Sequence, residues 1–168
     1  MPEKETMRRV KEDQAEGKAP TTQAGEFIRE EMHHIREGKH GAKSSKQAIA
    51  IGLSKARRAG IALPSPRKGT VPEKTRKSAA RESAAGRAHP DQKPSPTRSK
   101  AVLGALKREG KQAASHQALS RQTKSVARQR TPAERKSIAS KAAGSRSPAE
   151  RSASARKAAR TRARQRVG

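Results

Sequence analysis

Beyond Leu63 the chain offers almost nothing large and apolar to bury. Residues 64–168 supply only Val71, Val102, Leu103, Leu106, Leu119, Val126, Ile138 and Val167. The shorter stretch before them carries Met7, Val10, Phe27, Ile28, Met32, Ile35, Ile49, Ile51, Leu53, Ile61 and Leu63. Apolar burial is the main term set against the entropy of ordering a chain, so a segment this poor in it is expected to stay unfolded. The expectation is an all-α protein in unequal parts. A small helical module of two to three helices spans 1–63, and a largely disordered, partly helical Lys/Arg/Ala/Ser-rich tail follows. Within the tail, 64–98 reads as a Pro/Ser-rich basic linker with a short helix, and 99–168 as a basic Ala/Ser/Arg tail with helix-prone repeats. About sixty residues make a marginal core, so the module is expected to lean on a dimer mate, a protein partner or nucleic acid.

Inside the module the apolar spacing is helical. Glu3 to Ala15 is a polar helical stretch stopped by Gly17, with Pro20 behind it. Thr21 or Thr22 is the expected cap of a second helix running to about Gly38, on which Phe27, Ile28, Met32 and Ile35 form one stripe. Its acids Glu26, Glu30 and Glu31 lie in the first half or middle, which suits the helix dipole. Ser44 or Ser45 caps a third helix ending at Gly60, with Ile49, Leu53 and Ala56 on one face. Phe27, Ile28, Met32, Ile35, Ile49 and Leu53 are therefore the candidates for core or for partner binding.

The tail keeps local helix signals. Thr70–Glu73, Thr131–Glu134 and Ser147–Glu150 each place a hydroxyl three residues before a glutamate, the pattern of a reciprocal cap. The last two also have Pro at the first helical position. They head a repeat, RTPAERKSIASKAA at 130–143 and RSPAERSASARKAA at 146–159. Ala, Lys and Arg favour helix, but like charges four residues apart oppose it. Partial helix, completed when phosphate cancels the repulsion, is the expectation.

Charge then narrows the partner. The chain has 41 Lys/Arg against 15 Asp/Glu, a net of +26. Residues 1–40 hold 8 of the bases and 9 of the acids, so the whole excess lies beyond them. Such a chain attracts polyanions, and neutralising phosphates releases condensed counterions. Duplex DNA is favoured and RNA is the rival. Single-strand and RNA-recognition modules stack bases on aromatic side chains, and this chain has one Phe and no Tyr or Trp. The same lack argues against an interfacial membrane helix. No Cys is present for disulfides or thiolate zinc sites. The first residues lack the apolar stretch of a signal peptide. A cytoplasmic, nucleoid-associated setting follows as an expectation.

The candidate phosphate contacts are Lys43, Ser44, Ser45, Lys46, Lys55, Arg57 and Arg58 in the module. In the tail they are Arg67, Lys68, Arg128, Arg130, Arg135, Lys136, Arg156, Lys157, Arg160, Arg162, Arg164 and Arg166. Gly38 to Ser45 is a weak candidate for an anion-holding loop before a helix N-terminus and lacks Walker A spacing; a Gly stop followed by a Ser cap is the favoured reading. The second and third helices, with Lys46, Gln47, Arg57 and Arg58, form a weak helix-turn-helix pattern. The connection is too long for that motif, which favours a simple hairpin. His33, His34 and His40 lie near Glu30, Glu31 and Glu37, but adjacent histidines on a helix point apart, so no metal site is expected. No cofactor is expected, and no nucleophile–base pair or paired-carboxylate cleft suggests an enzyme.

Ser65-Pro66-Arg67-Lys68 resembles the Ser-Pro-basic-basic element of linker-histone tails and bacterial histone-like tails, and Ser95-Pro96-Thr97-Arg98 is a weaker copy. Thr21–Pro64 resembles a family of short basic bacterial proteins of unknown function. The resemblance rests on Gly25-Glu26-Phe27, on Ile35 to Gly41 (IREGKHG) and on Lys46 to Ser54 (KQAIAIGLS), with a similar Met-Pro-Glu-Lys start. Some members are described as plasmid-stabilisation or DNA-binding proteins. The resemblance thus implies either nucleic-acid binding or an adaptor for a plasmid-maintenance or DNA-repair partner, and it implies no catalytic residues.

Overall fold

A chain whose apolar residues recur at helical spacing in some stretches and are nearly absent from others builds helices of two kinds. The computed structural model describes residues 2–89, 95–144 and 147–167. Among them are eight α-helices: α1 Lys4–Ala15, α2 Pro20–Glu37, α3 Ser45–Arg58, α4 Glu73–Ala88, α5 Pro96–Lys107, α6 His116–Gln129, α7 Pro132–Gly144 and α8 Pro148–Val167. A 3-10 turn, Lys111–Ala114, precedes α6. The chain divides into two compact units, Met1–Gln122 and Thr123–Gly168.

In the first unit α2 is the central element. Its stripe splits between two small cores. Phe27 and Ala24 pack with Val10 of α1, Ala56 of α3, and Ile61 and Leu63 behind it. Met32 and Ile35 pack with Ala42, Ala48, Ala113 and Ala114, with Ile28, Ile49 and Leu119 alongside. Phe27 and Ile35 are wholly buried, and each contributes roughly 1.5–3 kcal/mol by leaving water. Proline opens α2 at its first position with Ala19 before it, so neither Thr21 nor Thr22 caps the helix. Gly38 closes it in a left-handed conformation, φ 80°, which spares the cost a Cβ would bring. Ser44 caps α3 by accepting the Gln47 N–H at 3.2 Å.

The expectation of a largely disordered tail is overturned. Helices α4 to α8 occupy most of residues 73–167, and part of the tail belongs to the core of the first unit. Counting large apolar side chains missed this because small residues do the packing. Ala79, Ser83 and Gly86 line the buried face of α4, and a Cβ on Gly86 would lie 1.9 Å from the Arg57 carbonyl oxygen. Only glycine lets α4 approach α3 so closely. Farther on, Leu106, Ala113 and Ala114 are buried. The Gly41 N–H donates to the Leu106 carbonyl at 2.9 Å and the Ala42 N–H to Gly110 at 3.2 Å. The Ser45 hydroxyl donates to Ala113 at 2.6 Å, and Arg36 Nε donates to Ala114 at 3.0 Å. These bonds tie the end of α5 and the turn after it to the module.

The second unit is held differently. No residue of α7 is buried, and the described side chains of α8 are exposed. Local terms sustain these helices: Ala-rich sequence and reciprocal caps. The Thr131 and Ser147 N–H groups donate to Glu134 and Glu150 at 2.9 Å and 2.8 Å, and the hydroxyls accept the Glu134 and Glu150 N–H groups at 3.2 Å and 3.3 Å. The third expected cap does not form: the Thr70 hydroxyl turns back to the Arg67 carbonyl at 2.7 Å, and α4 begins after Pro72 without a side-chain cap. No helix among the described residues is long and apolar enough to cross a membrane.

Candidate functional site

Two groupings of functional side chains emerge, one buried and one exposed. The buried grouping lies where the last turns of α2, the following loop and α3 meet. Glu30 and Glu31 are consecutive on α2, 4 % and 1 % exposed. Lys55 of α3 reaches both, at 3.2 Å from Glu30 Oε1 and 2.7 Å from Glu31 Oε2. Glu30 also accepts the Glu3 N–H at 3.0 Å. Burial pushes the Glu30 carboxyl up. The Thr6 hydroxyl, the Glu3 amide and Lys55 outweigh it, and the group sits below the ordinary carboxylate range. Glu31 Oε1 faces His40 Nε2 at 3.1 Å. His34, one helical turn beyond Glu31, pairs through Nε2 with Glu3 Oε1 at 2.8 Å, and Lys39 reaches the same oxygen at 2.9 Å. Hydrogen bonds from Lys39 and then His34 hold the Glu3 carboxyl down at about 2. The rings of His34 and His40 meet edge to face with centroids 5.9 Å apart.

The sequence grouped His33, His34 and His40 with Glu30, Glu31 and Glu37 but pointed to solvent-exposed side chains rather than to this buried arrangement. His33 is exposed, whereas Glu31, His34 and His40 converge, with one ligand-capable atom of each within 4.8 Å of the others. Glu31 and His34 stand three apart on a helix and so share a face. That spacing was the available signal.

The exposed grouping is basic. Lys43, Ser44, Lys46, Arg58, Arg67 and Lys68 lie on the surface of the first unit. Ser45, Lys55 and Arg57 turn inward. Ser45 bonds Ala113, Lys55 pairs with Glu30 and Glu31, and Arg57 is 7 % exposed. The loop that is the weaker candidate for an anion site is covered by its own chain, since the Gly41 and Ala42 amides are given to Leu106 and Gly110, and the favoured reading, a Gly stop and a Ser cap, holds at Gly38 and Ser44. A Cβ on Gly41 would strike the Glu109 carbonyl oxygen at 1.9 Å. Gln47, part of the weak helix-turn-helix pattern, accepts the Lys43 N–H at 2.7 Å. Phe27, Met32 and Ile35 are buried within the unit, and Ile28, Ile49 and Leu53 are half-buried against the same cores.

Residues 4–68 match the model of a family of unknown function (DUF6496). The match takes in α1 to α3 with Glu30, Glu31, His34, His40 and Lys55, and leaves α4 to α8 outside. No curated protein and no solved structure matches the chain.

In the second unit Arg128, Arg130, Arg135, Lys136, Arg156, Lys157, Arg160, Arg162 and Arg164 are all exposed. Arg166 is in the last turn of α8, and its side chain lies outside the described residues. Residues 123–168 carry 14 Lys/Arg against 2 acids. On α8 the seven arginines and lysines spread over about two-thirds of the circumference at 3.6 residues per turn, and the remaining strip carries Glu150, the single acid, with Ser154, Ala158, Thr161 and Gln165. A 20-residue helix is about 30 Å long, and duplex DNA presents one phosphate per ~1.7 Å of axis over that span.

Proposed function

We propose that the chain is a non-catalytic nucleic-acid-binding protein that grips duplex DNA by neutralising phosphates, with residues 123–168 as the principal grip. The observation that carries this reading is that α7 buries none of its residues, and α8 exposes every described side chain, while α8 sets seven cations against one acid and has no apolar stripe. A helix with no apolar stripe has no face to give a protein core. Its charge is compensated by a polyanion. A B-form major groove, about 12 Å wide, admits such a helix, whereas the deep, narrow groove of A-form RNA does not. Sequence preference is expected to be slight. Association with the nucleoid follows from the same chemistry.

The test is a titration of several duplex sequences against salt. With about ten phosphates engaged, the log–log slope is near −9 whatever the sequence. Replacing Arg156, Lys157, Arg160 and Arg164 by Gln together should flatten it by roughly 3.6, at about 0.9 per lost contact. A wild-type slope near −2, or an unchanged slope in the variant, sinks the reading. Tighter binding to duplex RNA of equal length overturns the choice of DNA.

A further inference from the structure

We infer that Glu31, His34 and His40 form a binding site for a first-row divalent metal ion of the zinc type. The argument starts at His40, which is 8 % exposed. Its Nδ1 lies 3.0 Å from the Gly41 carbonyl oxygen. A carbonyl only accepts, so Nδ1 carries a hydrogen and Nε2 holds the lone pair that a proton or a metal ion takes. That lone pair faces Glu31 Oε1, a second acceptor, at 3.1 Å. Neither oxygen of this buried carboxylate has a hydrogen-bond donor placed in good geometry. Lys55 lies close to Oε2, so an ion at Oε1 does not displace it. Two acceptors pressed together in a dry site repel unless a cation lies between them.

Charge points the same way. Glu30 and Glu31 set two buried carboxylates against the single ammonium of Lys55. A divalent ion supplies the missing positive charge. His34 brings a third donor one helical turn from Glu31. Two imidazoles and a carboxylate are the borderline-soft set that zinc prefers, with a fourth position left for water. One outer partner is also in place. Metal-binding histidines give their other ring nitrogen to a carbonyl or carboxylate, and here His40 Nδ1 meets the Gly41 carbonyl. The ligand atoms lie within 4.8 Å of one another, and tetrahedral zinc needs about 3.3 Å between them, so small ring rotations draw them in. The ion would pin the loop after α2 to the helix it leaves. Gly41 and Ala42 in that loop hold Leu106 and Gly110, so binding would steady the junction between the module and α5.

The full chain, stripped with chelator, is titrated with Zn2+ by calorimetry, with Co2+ as the spectroscopic probe. One ion should bind with Kd below about 10 μM, and Co2+ should give the strong visible absorption of four-coordinate geometry. His34→Ala and His40→Ala should each weaken binding at least about tenfold, and His33→Ala, one residue away but exposed, should not. Ring resonances of His34 and His40, not His33, should shift in the wild-type protein, which keeps the test valid if a variant fails to fold. Zn2+ should raise the Tm of wild type and not of His40→Ala. No saturable binding, or equal weakening by His33→Ala, overturns the site and leaves a proton between Glu31 and His40.

Discussion

Glu3 shows what one exposed side chain does for the start of the chain. Its carboxylate holds Lys39 and His34, and its N–H donates to Glu30, so the residues before α1 are tied to the far half of α2. Its pKa of about 2 lies below the ordinary 4.5, and that of Glu30 is lowered as well. A lowered carboxyl stabilises the fold above its unfolded value and stops doing so as pH falls through its folded one. The urea midpoint should therefore decline as pH falls from 4.5 toward 2, and Glu3→Gln should make that decline shallower. Equal slopes for the two proteins would refute the assignment. Gly86 acts by absence. Ala there meets the Arg57 carbonyl oxygen at 1.9 Å, and overpacking of this kind costs about 1–3 kcal/mol. Gly86→Ala should lower the urea midpoint, with α4 loosened first. Neither effect was legible in the sequence. Glycine in an Ala/Ser-rich stretch reads as a weak spot until the neighbouring backbone is known. The Glu31 and His34 pairing was half legible, because three-residue spacing gives a shared face but not its burial, and the placing of His40 depends on the turn at Gly38.

At the scale of elements, local chemistry was legible where it is self-contained. The caps at Thr131 and Ser147 form as the spacing of hydroxyl and glutamate implies, because both partners belong to one turn. The cap at Thr70 does not form, since its hydroxyl is taken by Arg67, and the start of α2 was set by Pro20 rather than by the threonines after it. Of the module's helices, α2 and α3 follow from apolar periodicity and α1 from a polar helical stretch stopped at Gly17. The order of the later helices does not, since it depends on small residues at close approach in α4 and on backbone hydrogen bonds from Gly41 and Ala42 to a segment more than sixty residues away. Helices α7 and α8 lack that help, so they should be sensitive to their caps. Thr131→Ala removes the acceptor for the Glu134 N–H and should cost α7 about 0.5–2 kcal/mol. Amide exchange should then accelerate across the first turns of α7 and leave α2 and α3 unchanged. Uniform exchange in the variant and wild type would mean that something other than the cap holds α7.

For the whole molecule the decisive quantity is the spread of charge, which the sequence displays directly. Residues 1–122 carry 27 Lys/Arg and 13 acids, and residues 123–168 carry 14 and 2. Both units are net positive, and the smaller one more densely so. The ion pairs of α1, in which Arg8 joins Glu5 and Glu12, are exposed and contribute little. Self-repulsion acts on every basic group at once. Repulsion should therefore outweigh the pairs, and salt, by screening it over about 8–10 Å, should raise the Tm rather than lower it. Duplex DNA should act oppositely with ionic strength. At 100 times its Kd it stabilises the folded chain by about 2.7 kcal/mol. With a slope near −9, a tenfold rise in salt weakens binding about 10⁹-fold and abolishes that gain. Thermal melts with and without duplex should thus lie far apart at low salt and merge at high salt, the free protein's Tm climbing while that of the complex falls to meet it. A free-protein Tm that drops as salt is added would show that the exposed pairs, not the net charge, govern stability. A gap between the two melts that persists at high salt would show that the grip on the duplex is more than electrostatic.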